Sequence, residues 1–107
     1  VSGKSLAPLA LARAFLFVPA DRPDRHARAL ATGAGGVIVD LEDAVAPERK
    51  VAARDGLEAS FAALPAAQRG RLLVRVNAQG TPWHGDDCAQ VGKLVRQGLI
   101  AGVVLPK

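Results

Sequence analysis

One arginine sits inside an apolar run, Arg75 in RLLVRV (71–76), and a cluster of acids closes another, Asp40, Glu42 and Asp43 in GVIVDLED (36–43). A guanidinium held on a rigid strand grips a carboxylate through two parallel hydrogen bonds, which an ammonium cannot reproduce. Because its apolar neighbours take it out of water, Arg75 also needs a counter-charge. An internal ion pair with Asp40 or Glu42 therefore stands beside the reading that it binds a substrate anion, and the two are compatible. Three carboxylates within four residues offer hard oxygen donors that suit magnesium (Mg2+), directly or through water. Such clusters also cap helices and shape turns, as Asp43 ahead of Ala44 and Pro47 would.

Two further groups carry chemistry by type. Arg22, Arg25, His26 and Arg28 open a helix-like segment, where positive side chains and free backbone N–H groups suit a phosphate. The competing reading is a solvated outer face with Asp24 interleaved, and His26 reads as structural. Gly80-Thr81-Pro82-Trp83 reads as a turn into His84, with Trp83 a lid or packing residue and His84 a proton carrier or a packing residue. Cys88 has no evident base partner and reads as a buried structural thiol. As the single cysteine, it excludes an internal disulfide and any multi-cysteine metal cluster.

The elements that must position these groups follow from periodicity. Four short runs of Val, Ile, Leu and Phe read as strands: AFLFVP (14–19), GVIVDL (36–41), RLLVRV (71–76) and GVVLP (102–106). Their near-continuous apolar character predicts parallel strands covered on both faces. Ile38, Asp40 and Glu42 share one face, with Val37, Val39 and Leu41 on the other, and Leu73, Arg75 and Asn77 likewise line up. Three helices are expected between the strands. The first has Asp21 as N-cap, Pro23 in its opening turn, a stripe of Ala27, Leu30 and Ala31, and Gly33 as its stop. The second runs from Pro47 to Pro65 through Ala53, Leu57, Phe61 and Leu64, weakened only modestly by Gly56. The third starts at Asp86 and Asp87 and turns Val91, Leu94 and Val95 inward until Gly98.

Strand and helix alternating in this way predict the α/β class with a parallel sheet. A doubly wound sheet would place a glycine-rich loop after its first strand, where this chain has Pro19-Ala20-Asp21-Arg22-Pro23. A (β/α)8 TIM barrel fits better, with about its first four βα units in residues 13–107 and an N-terminal arm in 1–12. Reacting groups of such a barrel sit at the C-terminal strand ends, where Asp40, Glu42, Asp43, Arg75, Asn77 and Lys107 fall. Four units are half of a barrel, so the expectation is a fragment of a protein about three times as long, or a half that a second chain completes. The net charge of +4 is spread through alternating signs rather than a basic block, which argues against nucleic acid. No apolar run approaches the ~20 residues of a membrane span, and the chain reads as cytoplasmic with no membrane partner.

The strand ends spell FLFVPADRP, VIVDLEDAV, VRVNAQGTPW with an acidic pair after it, and VVLPK. Four motifs in this order resemble the citrate lyase β-subunit-like family, related to the HpcH/HpaI aldolases and to malyl-CoA and methylmalyl-CoA lyases, across residues 13–107. The resemblance implies a homo-oligomeric TIM-barrel lyase that uses magnesium to cleave a carbon–carbon bond in an acidic 3-hydroxyacyl-coenzyme A thioester, releasing an oxo acid and an acyl-CoA. Carried over by position, Arg75 would be the catalytic group binding the oxo acid's carboxylate and carbonyl oxygen. Phe17, Arg22 and Arg28 would contact the thioester or its coenzyme A phosphates. Glu42 and Asp43 would order water around the metal. The family's direct metal ligands, a Glu and an Asp, come from strands beyond LPK and are not among these 107 residues, so the chain alone is expected to be inactive. The alternatives are a metal-dependent aldolase acting on free hydroxy-oxo acids, which would not need Arg22 and Arg28, and a non-catalytic binding module.

Overall fold

In the computed structural model, residues 15–106 are described. The expected arm (1–12), Ala14 and Lys107 lie outside them. Four strands form one sheet in the order β1-β2-β3-β4: β1 Phe15–Pro19, β2 Gly36–Asp40, β3 Leu72–Arg75 and β4 Gly102–Val104. All three pairings are parallel. The order never reverses, so the described strands contain no switch point of the doubly wound kind.

Parallel neighbours need crossovers, and helices supply them. Helix α1 is Pro23–Ala31, α2 is Lys50–Asp55, α3 is Leu57–Ala62 and α4 is His84–Arg96, with 3-10 turns at Pro47–Arg49 and Ala66–Arg71. Proline opens α1 where its missing N–H costs nothing, and Gly33 follows the helix end at φ 84°, a conformation that glycine adopts without strain. The expected cap Asp21 is not used: Arg22 is the N-cap residue and makes no capping bond. Asp21 instead pairs with Arg49 at 2.8 Å. The single helix expected from Pro47 is broken at Gly56, whose N–H bonds to the carbonyls of both Ala52 and Arg54. Gly56 is the turn residue at which α2 ends, and α3 starts at the next residue. The last helix opens at His84, two residues earlier than its acids suggested.

Alternation sorts the sheet into two faces. Val18, Val37, Val39, Leu41, Leu72, Val74 and Val76 are buried against Leu30, Leu57, Phe61, Val91 and Leu94 of the helices. The opposite face carries Ile38, Asp40 and Arg75 and leaves Phe17 about half exposed. Coverage on both faces thus holds for β2 alone, whose five residues are all buried, whereas β1 and β4 are partly exposed. Two helix stripes differ from expectation. The buried row of α1 is His26, Ala29 and Leu30, with Ala27 and Ala31 exposed. On α4 Val91 and Leu94 are buried but Val95 is 40% exposed. Small alanines give a weak periodic signal, so the stripe is easily misplaced by one residue.

His26 is structural, as its context suggested. Its buried ring lies 5.7 Å from that of Phe61 and its Nε2–H donates to the Pro19 carbonyl at 3.0 Å, while Nδ1 has no partner. Burial lowers its pKa, outweighing the Pro19 hydrogen bond and the nearby Asp24 and Asp21. Below the ordinary histidine value of about 6.5 the unfolded chain binds a proton that the folded chain resists, so stability falls as pH drops, by at most about 1.4 kcal/mol per pH unit. Urea unfolding at pH 7.5, 6.5 and 5.5 should show this loss, and His26→Phe should flatten it.

Candidate active site at the C-terminal edge of the sheet

Register sets the central pair. Asp40 ends β2 directly opposite Arg75, which ends β3, so both side chains emerge on the same face. Arg75 donates from Nε and Nη2 to the two Asp40 oxygens at 2.9 and 2.7 Å. This side-on, bidentate pair is the internal ion pair anticipated for Arg75. Asp40 also accepts the backbone N–H groups of Glu42 (2.8 Å) and Ala44 (3.2 Å), folding the strand end into an Asx-type turn. Burial pushes the Asp40 carboxyl up, but the Arg75 and amide hydrogen bonds and the Arg75 charge outweigh it and hold it below the usual carboxylate value. Arg75 in turn is raised, chiefly by its hydrogen bonds to Asp40. Asp40 is therefore consumed within the protein, which corrects its reading as one of three acids available to a cation.

The rest of the guanidinium is open. Its plane lies over the Phe17 ring, 4.9 Å from the centroid, a cation–π contact that restricts its swing. Nε is 3.5 Å from Glu42 Oε1 and Nη2 is 3.9 Å from Asp43 Oδ2. The outer Nη1/Nη2 edge is left for a second planar anion. Glu42, Asp43, Arg75, Val104, Leu105 and Pro106 line a hollow of about 440 Å3.

Charge decides what this hollow favours. Three carboxylates around one guanidinium leave two formal negative charges, so an anion approaching Arg75 alone also meets Glu42 and Asp43. A divalent cation offsets that repulsion, and carboxylate oxygens are the donors a hard cation prefers. The residues present thus fit magnesium as neighbours that would hold its water. Among the described residues, no three of His, Cys, Asp and Glu converge into a metal site of their own.

The other candidates are dispersed. Arg22 is exposed and pairs with Asp24 at 3.2 Å. Arg28 lines a separate hollow of about 290 Å3 with Arg25, Val18, Ala29 and Thr32, and Arg22 is not among its lining residues. His84 Nδ1 donates to the Asn77 carbonyl at 2.8 Å. Cys88 corrects its reading: it is exposed, and its sulfur lies 3.5 Å from His84 Nε2. Placed four residues apart on α4, the two side chains meet on one helix face. Asn77 does not continue the Arg75 row. It turns to α4, where Asp87 accepts its N–H at 2.9 Å and its amide at 2.7 Å. Asp87 also faces the buried Arg54 of α2 at 3.4 Å, so this acid, in the first turn of α4 as expected, in addition ties two helices to the end of β3.

Sequence reasoning missed Lys50. This buried residue at the start of α2 donates to the Leu41 carbonyl at 2.8 Å and to that of Glu42, and stands 5.3 Å from the Trp83 ring centroid. Nothing in Pro47-Glu48-Arg49-Lys50 sets it apart from its exposed neighbours.

Comparison with known proteins identifies the family. The chain is 38% identical over 104 residues to a citrate lyase subunit beta-like protein of Deinococcus radiodurans, covering 94% of this chain and 35% of that protein. It is 38% identical over 77 residues to a (3S)-malyl-CoA thioesterase of Cereibacter sphaeroides, covering 72% of this chain and 27% of the relative. The fold superposes with a TM-score of 0.64 on the protein CitE from Mycobacterium tuberculosis, crystallised with magnesium, acetoacetate and coenzyme A, at 39% identity over 87% of this chain and 31% of that one. The chain thus spans about a third of the length of these proteins. With residues 13–107 also matching the family's own pattern, the chain belongs to the HpcH/HpaI aldolase/citrate lyase family.

Proposed function

We propose that residues 13–107 form the N-terminal half of a (β/α)8 barrel lyase that cleaves an acidic 3-hydroxyacyl-CoA thioester to an oxo acid and an acyl-CoA. The observation that carries this reading is Arg75. Its Nε/Nη2 edge is fixed by Asp40, and it lines a hollow together with Glu42 and Asp43. The unreversed sheet order supports the barrel. The magnesium and coenzyme A bound by the M. tuberculosis relative support the cofactor and thioester.

In this reading Arg75 binds the carboxylate and carbonyl oxygen of the oxo-acid half. As the carbon–carbon bond breaks, its electron pair passes to the acyl fragment as an enolate, while the hydroxyl loses its proton to water and becomes the carbonyl of the oxo acid; a proton from water then adds to the enolate carbon and gives the acyl-CoA, so no proton is consumed overall. Magnesium, when bound, supplies further polarisation of that oxygen. Glu42 and Asp43 hold the water around it, and Asp40 keeps the guanidinium aimed so that no reorganisation is needed as charge develops. Phe17 restrains Arg75 with one ring face and offers its exposed remainder to the thioester. Arg28 and Arg22 serve the coenzyme A phosphates.

Similarity to the malyl-CoA thioesterase favours a second reading, in which the thioester is hydrolysed. The polypeptide carrying these residues should be incubated with malyl-CoA and citryl-CoA, with magnesium or with chelator, and assayed for oxo acid and for free thiol. A lyase releases oxo acid without thiol and stops with chelator; a thioesterase releases thiol. Cleavage of the free hydroxy acid at the same rate, with no affinity for coenzyme A, would instead identify the aldolase.

A further inference from the structure

Lys50 is 6% exposed, yet among the described residues no carboxylate pairs with it; its ammonium meets two peptide carbonyls and the face of an indole. Burying a charge against dipoles alone is costly, and an apolar chain of the same length would fill the space with less penalty. Packing therefore does not account for the charge. Its partners do: the Leu41 and Glu42 carbonyls lie beyond the end of β2, where the ladder no longer pairs them. Pinning both oxygens fixes the two peptide planes from which the Glu42 and Asp43 side chains depart. The same turn is held from its other side by Asp40, which accepts the Glu42 and Ala44 N–H groups.

We infer that Lys50 is a positioning residue: it sets where Glu42 and Asp43 stand at the rim of the hollow, and thereby how well that rim serves a divalent cation. Through Trp83, the residue just before α4, it also ties the loop after β2 to the loop after β3. The inference rests on the proposed function only for the identity of the cation.

The test uses Lys50→Met and Lys50→Arg in the complete polypeptide that carries these residues, with amide hydrogen exchange and calorimetric titration of magnesium chloride. Lys50→Met should speed exchange at Glu42 and Ala44, whose N–H groups are held by Asp40, at least tenfold while the Val39 and Val74 amides keep their protection. Magnesium affinity should fall at least tenfold. Lys50→Arg, which keeps donors for both carbonyls, should recover part of both, and it decides the matter alone if the methionine variant does not fold. Unchanged exchange at Glu42 and Ala44, equal acceleration at Val39 and Val74, or a loosened turn with unaltered magnesium affinity would each overturn the role. If the wild-type protein itself ignores magnesium, the proposed function fails, and the exchange pattern alone decides whether Lys50 anchors the turn.

Discussion

Arg75→Lys is expected to lower kcat by roughly 30- to 1,000-fold, about 2 to 4 kcal/mol in the barrier, while leaving the protein folded. Lysine keeps the positive charge next to Asp40, so the buried carboxylate retains a counter-ion. It loses the planar fork, which satisfies Asp40 with one edge and presents a second edge to the substrate. Because that second edge is most valuable as charge develops on the departing carbonyl oxygen, kcat should fall more than KM rises. Steady-state kinetics with the thioester, alongside a thermal melt, checks this. Unchanged kinetics in a folded variant would remove Arg75 from the reaction.

Asp40→Asn should cost about 3 kcal/mol of folding stability, near the low end for breaking a buried ion pair, because Arg75 retains about a fifth of its side-chain exposure. Asparagine presents an N–H2 where the guanidinium needs an acceptor, and it weakens the turn held by the Glu42 and Ala44 amides. The pH dependence identifies the charge as the cause. A carboxyl whose folded pKa lies below its ordinary value of about 3.9 contributes its full stabilisation above that value and loses it as pH falls through the lower folded value. Urea unfolding should therefore show a constant gap between wild type and Asp40→Asn above about pH 5. As pH falls below the ordinary carboxyl value and through the lower folded one, the gap should narrow.

The strands were legible because each is a short apolar run. The two-residue repeat put Asp40 with Ile38 and Arg75 with Leu73, each on one face of its own strand, and the strand register then set the two opposite each other. Helix details were less legible where small side chains blur the buried stripe, as in α1, or where one glycine decides between a continuous and a broken helix, as at Gly56. The family resemblance pointed to Arg75, Glu42 and Asp43, which the structure gathers around one hollow. It also pointed to Arg22 and Arg28, which lie apart: Arg22 pairs with Asp24 and Arg28 lines a different hollow.

Local sequence alone determined the α/β alternation and placed an acid and an arginine at strand ends, because period and turn chemistry act over a few residues. Tertiary structure alone decided how those groups are used. Asp40 is spent on clamping Arg75, Asp87 on joining Asn77 to Arg54, Lys50 on holding the carbonyls past β2, and Cys88 meets His84 at the surface. Whether a polar side chain is buried, and what satisfies it there, depends on residues distant in sequence that only the register of the strands and the packing of the helices bring within reach.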